Sequence, residues 1–453
     1  MNILRGISPL QRDNWRRPVF RRRLNLSLTL ALIVGGLTIT RMAAANPSTE
    51  WLTLAQAEQI ALATNPGLAG VVAKAEAMAA IPSQTGALPD PRLGLNAMNV
   101  PVDTFDLDQE PMTQLQVSLS QSFPFPGKRG LRREAAEHQA AAATAAIGEQ
   151  RLRILGDVRA AWWKLFALDR SLTIVRENQG LMRDFVEIAR TKYKVGAGLQ
   201  QDVLLAQLEL SRLLNDELQL VSRREATAAA INALLNRPAT EAVRIASIPE
   251  NDRLPELPPE RELLDTAVQN RPLLASQREL VEAARDLADL AKRDYYPNFK
   301  LGAAYGFRST DDRLTGEKLP DFLSIMFSFS LPIYSGSRQD KALEQRQNEL
   351  SQRQYMLSDS LRSVETTIAR RRAQYIAARE QVLLFSTAIL PQAEQTVESM
   401  LAGYQVNEVD FLNVVNAELR LFNSQVSYWE ALGAAKESLA QLAAAVGEES
   451  LYE

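Results

Sequence analysis

The chain has 453 residues, 46% of them hydrophobic and only 6% aromatic, with a formal net charge of -3. That length and apolar content allow a sizeable core or one long body, and the abundance of Ala, Leu, Gln, Glu and Arg leans towards long helices. The charge gives no case for nucleic-acid binding, and the lack of cysteine excludes disulfides, thiolate metal sites and lipid attachment through a thioether.

The N-terminus reads as a signal peptide over residues 1–45. Arg16, Arg17, Arg21, Arg22 and Arg23 form a basic region, and an apolar run follows from Leu24 to Ile39. Ala43, Ala44 and Ala45 then supply the small residues of a cleavage site before Asn46. The run is short for a membrane span, which needs about 20 residues. Removing it leaves an acidic mature chain. No later stretch is apolar enough for a transmembrane helix, so strands must do any spanning.

The first half, residues 46–238, reads as helix, strand pair, long helix and helix. Pro66 and Pro91 bracket the opening helix, and Arg92-Leu93-Gly94-Leu95 begins a strand. In the next strand Leu115, Val117 and Leu119 alternate with Gln116, Ser118 and Ser120, as a sheet with two unlike faces requires. Phe123 to Arg129, containing Pro124, Pro126 and Gly127, then marks a strand-to-helix junction. Val158, Leu165, Leu172, Gln179 and Val186 recur every seven residues, and so do Ala161, Leu168, Val175, Met182 and Ala189. That double series is a coiled-coil seam. A helix from about Leu131 to Tyr193 would be on the order of 95 Å long.

A proline-rich connector, residues 239–260, separates this unit from a second one at 261–449, with a tail at 450–453. Pro272 and Pro297 repeat the spacing of Pro66 and Pro91. Phe299, Leu301, Ala303, Tyr305 and Phe307 alternate with Lys300, Gly302, Ala304, Gly306 and Arg308, and Leu323 to Leu331 alternates in the same way. These two runs approach the 9–11 residues with which a tilted strand crosses a bilayer. Leu331 to Arg338, with Pro332 and Gly336, parallels the first junction, and Tyr404-Gln405-Val406 parallels Tyr193-Lys194-Val195. Leu343, Leu350, Leu357 and Val364 keep the heptad period. Neither glycine nor proline occurs from Ser337 to Leu390. The expectation is a mixed α/β membrane protein in tandem repeat. Four transmembrane strands per chain would contribute to an oligomeric β-barrel, continued by a long α-helical coiled-coil barrel. Four strands cannot close alone, and an open edge in lipid leaves backbone groups unsatisfied at several kcal/mol each.

Two such units behind a signal peptide resemble the TolC family of outer-membrane efflux proteins. The likeness is carried best by Tyr193-Lys194-Val195-Gly196-Ala197-Gly198 before Asp202-Val203-Leu204, and by Tyr404-Gln405-Val406 before Val414-Val415-Asn416-Ala417. Phe123 to Arg129 resembles the junction of the heavy-metal, CusC- and CzcC-like, branch. The resemblance implies a homotrimer in the outer membrane, with its helical barrel in the periplasm. Its partners would be outer-membrane lipid, a periplasmic adaptor (membrane fusion) protein and an inner-membrane pump of the resistance-nodulation-division type. It implies passive export, of heavy-metal cations in that branch or of drugs or secreted proteins in others, and neither enzyme activity nor a cofactor.

The resemblance places the periplasmic channel tip and the adaptor-docking surface at Tyr193, Gly196, Gly198, Asp202, Tyr404, Asp410, Asn413 and Asn416. In the protein that gives the family its name, aspartates ring the narrowest point. Here the matching residues are the neutral Asn413 and Asn416, and Val409 stands where that protein has an arginine. Nearby Glu408 and Asp410 could supply acid instead. No catalytic constellation is visible. The single histidine, His138, and the basic runs Arg223-Arg224 and Arg370-Arg371-Arg372 read as solvated helix faces. One histidine without cysteine cannot build a zinc site of the usual kind. The rival reading, a periplasmic coiled-coil scaffold, explains the heptads but not the amphipathic strands.

Overall fold

The computed structural model describes residues 51–246, 254–312, 314–406 and 408–452. The expected signal peptide therefore lies outside the described residues, as does part of the connector.

Three short helices open the described chain: α1 (Leu54–Thr64), α2 (Pro66–Ala79) and α3 (Ile81–Gly86). Each of the first two starts for a local reason. Thr53 and Gln56 form a reciprocal capping box at α1. At α2, Asn65 Oδ1 accepts from the Leu68 N–H and Pro66 takes the first helical position, where its missing N–H costs nothing. Strands β1 (Arg92–Met98) and β2 (Gln114–Phe123) follow, then helices α4 (Lys128–Lys194) and α5 (Gln200–Leu234). The second half runs α6 (Glu260–Asn270), α7 (Pro272–Arg293), β3 (Phe299–Phe307), β4 (Phe322–Phe329), α8 (Gln339–Leu384), α9 (Leu390–Gln405) and α10 (Phe411–Val446).

With 67 residues, α4 is about 100 Å long. The heptad series is its buried face: Val158, Leu165, Leu168, Leu172, Val175, Met182 and Ala189 are buried against α5 and α10. Gln179, a polar residue in that seam, is satisfied by donating to Leu213 O at 3.3 Å and Glu217 Oε2 at 2.8 Å. The long second-half helix is not uniform. Phe385–Ile389 forms a π turn between α8 and α9. Pro391, at the start of α9, has no N–H for the preceding turn and its ring crowds the carbonyl four residues back. The wider turn absorbs that misfit.

The four strands make one antiparallel sheet in the order β1-β2-β3-β4. Its register aligns Leu95 with Val117, Val117 with Tyr305, and Tyr305 with Leu323. Leu301 faces Phe327 and Ala303 faces Ile325 in the same way. The aligned apolar side chains are the exposed ones: Leu95 is 76% and Ile325 is 77% accessible. Gly302, Ala304 and Gly306 on the opposite face are buried. The sheet is thus inverted relative to a soluble one, with its greasy face bare. Strands β1 and β4 are its edges. Among the described residues no helix is long and apolar enough to cross a membrane.

The main core lies on α4, where Trp162, Trp163 and Phe166 pack with Ile231 of α5, with Leu235 at its C-cap and with Val243 and Ile245 of the connector. The C-terminal residues belong to this packing. The Trp163 indole N–H donates to the Tyr452 hydroxyl, whose ring lies 4.3 Å from the Arg159 guanidinium carbon.

Candidate channel tip and strand-to-helix junction

Two helical hairpins end close together. The turn between α4 and α5 spans Val195 to Leu199, and the turn between α9 and α10 precedes Phe411. Gly196 takes φ +75°, which a side chain would resist, and Gly198 lies against the last turn of α4, where a Cβ would come within 2.9 Å of Lys192 Cβ. The two turns meet through Tyr404, an expected tip residue, and three side chains outside the expected set. The Lys192 ammonium sits 3.7 Å from the centre of the Tyr404 ring. Tyr404 and Phe185 each pack 5.8 Å from Phe411. Lys192 and Phe185 belong to α4 and Phe411 to α10, so this cluster joins the halves.

Of the expected tip residues, only Tyr404 enters that cluster. Tyr193 is exposed and lies outside it. Asp202 serves its own helix: Oδ2 accepts from the Leu199 N–H at 3.3 Å, in the first turn of α5, where the helix dipole favours a carboxylate. No hydrogen bond or ion pair joins Asp202 to Tyr404, Asp410, Asn413 or Asn416 among the described residues. Asp410 is the N-cap residue of α10 without a side-chain cap bond. Asp410, Asn413 and Asn416 are exposed.

Above them on α10, Glu418 is buried and makes no hydrogen bond or ion pair among the described residues. Desolvation therefore pushes its carboxyl above the usual range.

At the other end, Gly127 caps α4 with φ +89°, and a Cβ there would press on the Arg293 guanidinium at 2.9 Å. The junction is held from the second half. Asn298 Oδ1 accepts from the Phe125 N–H and from Lys128 Nζ, each at 3.1 Å. Lys128 Nζ also donates to Tyr296 O at 2.9 Å and pairs with Asp294 at 3.1 Å. The rings of Phe125 and Tyr296 stack at 4.6 Å. Lys128 is 1% exposed, a cation buried because all its donors are matched. The counterpart at Pro332 and Gly336 differs: Ile333 and Tyr334 are exposed, and Gly336 has no left-handed conformation. The two junctions match in sequence, not in support.

Two surface readings change. His138 is half-buried between α4 and α7, with Nδ1 2.7 Å from Glu279 Oε2 and Nε2 3.7 Å from Asp286. The Glu279 hydrogen bond holds its pKa above the ordinary value despite some desolvation. Arg224 is no free surface cation either: it pairs with Asp169 and donates to Val243 O at 2.9 Å, tying the connector to α4 and α5. No signal in one sequence marks these partners, since each lies 19 or more residues away.

The profile of the outer membrane efflux protein family matches residues 58–237 and 263–448. The cobalt-zinc-cadmium resistance protein CzcC of Cupriavidus metallidurans is 24% identical over 390 residues, 84% of this chain and 87% of that one. The alkaline protease secretion protein AprF of Pseudomonas aeruginosa is 22% identical over 57% of this chain and 54% of its own. Among solved structures, the outer-membrane channel OprN superposes with TM-score 0.74 at 15% identity, covering 88% of this chain and 90% of that one. CusC gives 0.74 at 17% identity, over 87% and 92%, and VceC of Vibrio cholerae 0.73 at 20%, over 88% and 97%. These likenesses fix the fold, and the two profile matches span most of the chain. A bare apolar sheet joined to a helix about 100 Å long is therefore that of an outer-membrane channel protein, not an enzyme: the chain belongs to the outer membrane efflux protein family.

Proposed function

We propose that this chain is the outer-membrane channel subunit of a tripartite efflux system. Three copies would pair β4 of one with β1 of the next into a twelve-stranded barrel. The carrying observation is the sheet itself, with one face of exposed Leu, Ile, Phe and Tyr and two unpaired edges. In lipid such edges must be satisfied by further strands. The long helices then form a periplasmic tunnel, whose tip meets an adaptor fed by an inner-membrane pump of the resistance-nodulation-division type. The tandem-repeat reading, 46–238 and 261–449 about the connector 239–260, is supported by the two successive profile matches and by the recurring order of strand pair and helical hairpin.

A metal-cation cargo is favoured by the likeness to CzcC over 84% of the chain, against 57% for AprF. Fractionation tests the channel: the mature protein, beginning near Asn46, should appear in the outer membrane as a heat-dissociable trimer. Recovery as a soluble periplasmic monomer would refute it. Cargo is read from a deletion strain. Sensitivity to cobalt, zinc or cadmium supports the metal reading; loss of protease secretion without metal sensitivity replaces it.

A further inference from the structure

Helix α10 turns one face inward and one outward. Phe411, Val414, Val415, Glu418 and Phe422 are buried. Asn413, Asn416, Arg420 and Asn423 are exposed. Their spacings of three, four and three residues put them on one stripe, with Asn416 and Arg420 a turn apart. Arg420 is the one charged residue on that stripe between Asn413 and Ser427. It has no ion pair among the described residues, unlike Arg212, which pairs with Glu209 on α5. Glu394 and Glu398 of α9 are exposed, and among the described residues neither pairs with Arg420.

The exposed row on the neighbouring hairpin is of another kind. The exposed face of α5 carries Leu204, Leu208 and Leu218, 57%, 49% and 72% accessible. A leucine row in a tubular assembly is covered by protein, whereas a row of Asn, Asn, Arg and Asn is suited to water. We infer that Arg420 lines the tunnel just inside its tip and sets the sign of charge there, favouring anions and neutral solutes over free divalent cations. This inference rests on the channel reading proposed above. Asn413 and Asn416 are neutral and the exposed acids Glu408 and Asp410 belong to the turn itself, so deeper along the stripe the charge is that of three guanidinium groups, one from each copy. A cationic cargo would then cross the tip as a neutral or anionic complex.

Single channels in planar bilayers under a potassium chloride gradient test it. Charges about 10 Å from the axis in 0.1 M salt give an anion preference of roughly three- to fivefold, larger at lower salt. The parent and Arg420→Lys should show it, and Arg420→Gln should bring the reversal potential towards zero. Because the chain has no cysteine, Asn416→Cys gives a unique thiol, and a charged methanethiosulfonate reagent should change its conductance. If the reagent acts but Arg420→Gln leaves selectivity unchanged, the inference fails while the channel reading stands. If the reagent has no effect, the stripe does not face the lumen and the inference fails at its first step. A parent that forms no conducting trimer refutes the channel reading itself.

Discussion

An arginine at Ile325 should prevent assembly in the membrane, while one at Ser324 should be tolerated. Both residues lie near the middle of the eight-residue β4 and project to opposite faces. Ile325 is aligned with Ala303 on the exposed apolar face, and Ser324 with the buried Ala304. An arginine facing lipid at the bilayer midplane costs about 2–4 kcal/mol. A closed trimer carries it three times, so the assembly loses about 6–12 kcal/mol, or at least about four orders of magnitude in the folded ratio. Towards the strand end the cost falls to about 0–1 kcal/mol, so Phe327→Arg should fall between the two. The assay is folding into phospholipid vesicles across a urea series, read as the gel shift of the unheated trimer. Equal loss at Ser324 and Ile325, or none at either, would refute the assignment of faces.

The junction lysine gives a second expectation. Lys128→Ala should destabilise the folded chain by about 3 kcal/mol, the low end for breaking a buried pair, because Asp294 is partly solvated. Lys128→Met should cost less, and a urea melt of the detergent-solubilised protein separates them. Glu418 has a raised carboxyl pKa, so the folded state loses stability as pH climbs above the ordinary value of 4.5. Glu418→Gln should therefore raise the melting temperature at pH 8, with the gain disappearing at low pH; a constant difference would refute the buried-acid reading. His138 runs the opposite way. Its raised pKa contributes stability that is complete below 6.5 and lost as pH rises through the folded value. Being more than a third exposed, the pair contributes only about 0–1 kcal/mol. The lone imidazole can be titrated by NMR, and Glu279→Gln should lower its midpoint. At the tip, Asn416→Asp alone should be masked by pairing with Arg420 one turn on, whereas Asn413→Asp with Asn416→Asp should make conductance sensitive to block by trivalent cations.

Much of this architecture is legible in one dimension because it repeats with short periods. Alternation of two residues marked β2, β3 and β4, and the seven-residue series from Val158 to Ala189 became the buried seam of α4. Both periods follow from backbone geometry, which any local window carries. Turn chemistry was equally local: Gly127 and Gly196 stand where the chain needs a left-handed residue. The π turn ahead of Pro391 leaves no mark in the helical period, because the strain a proline exerts falls on the turn before it. What only the tertiary structure decided are contacts between distant segments. Lys128 stood in the junction motif, but its burial follows only from Asp294, Tyr296 and Asn298 of the second half closing around it. His138 and Arg224 looked solvated until α7 and the connector came alongside. Asp202, expected at the constriction, is engaged by its own helix end, while Lys192 and Phe411 join the hairpins at Tyr404. A side chain's partners depend on which helices lie beside it, and that is settled by burial summed over the whole chain rather than by its neighbours in sequence.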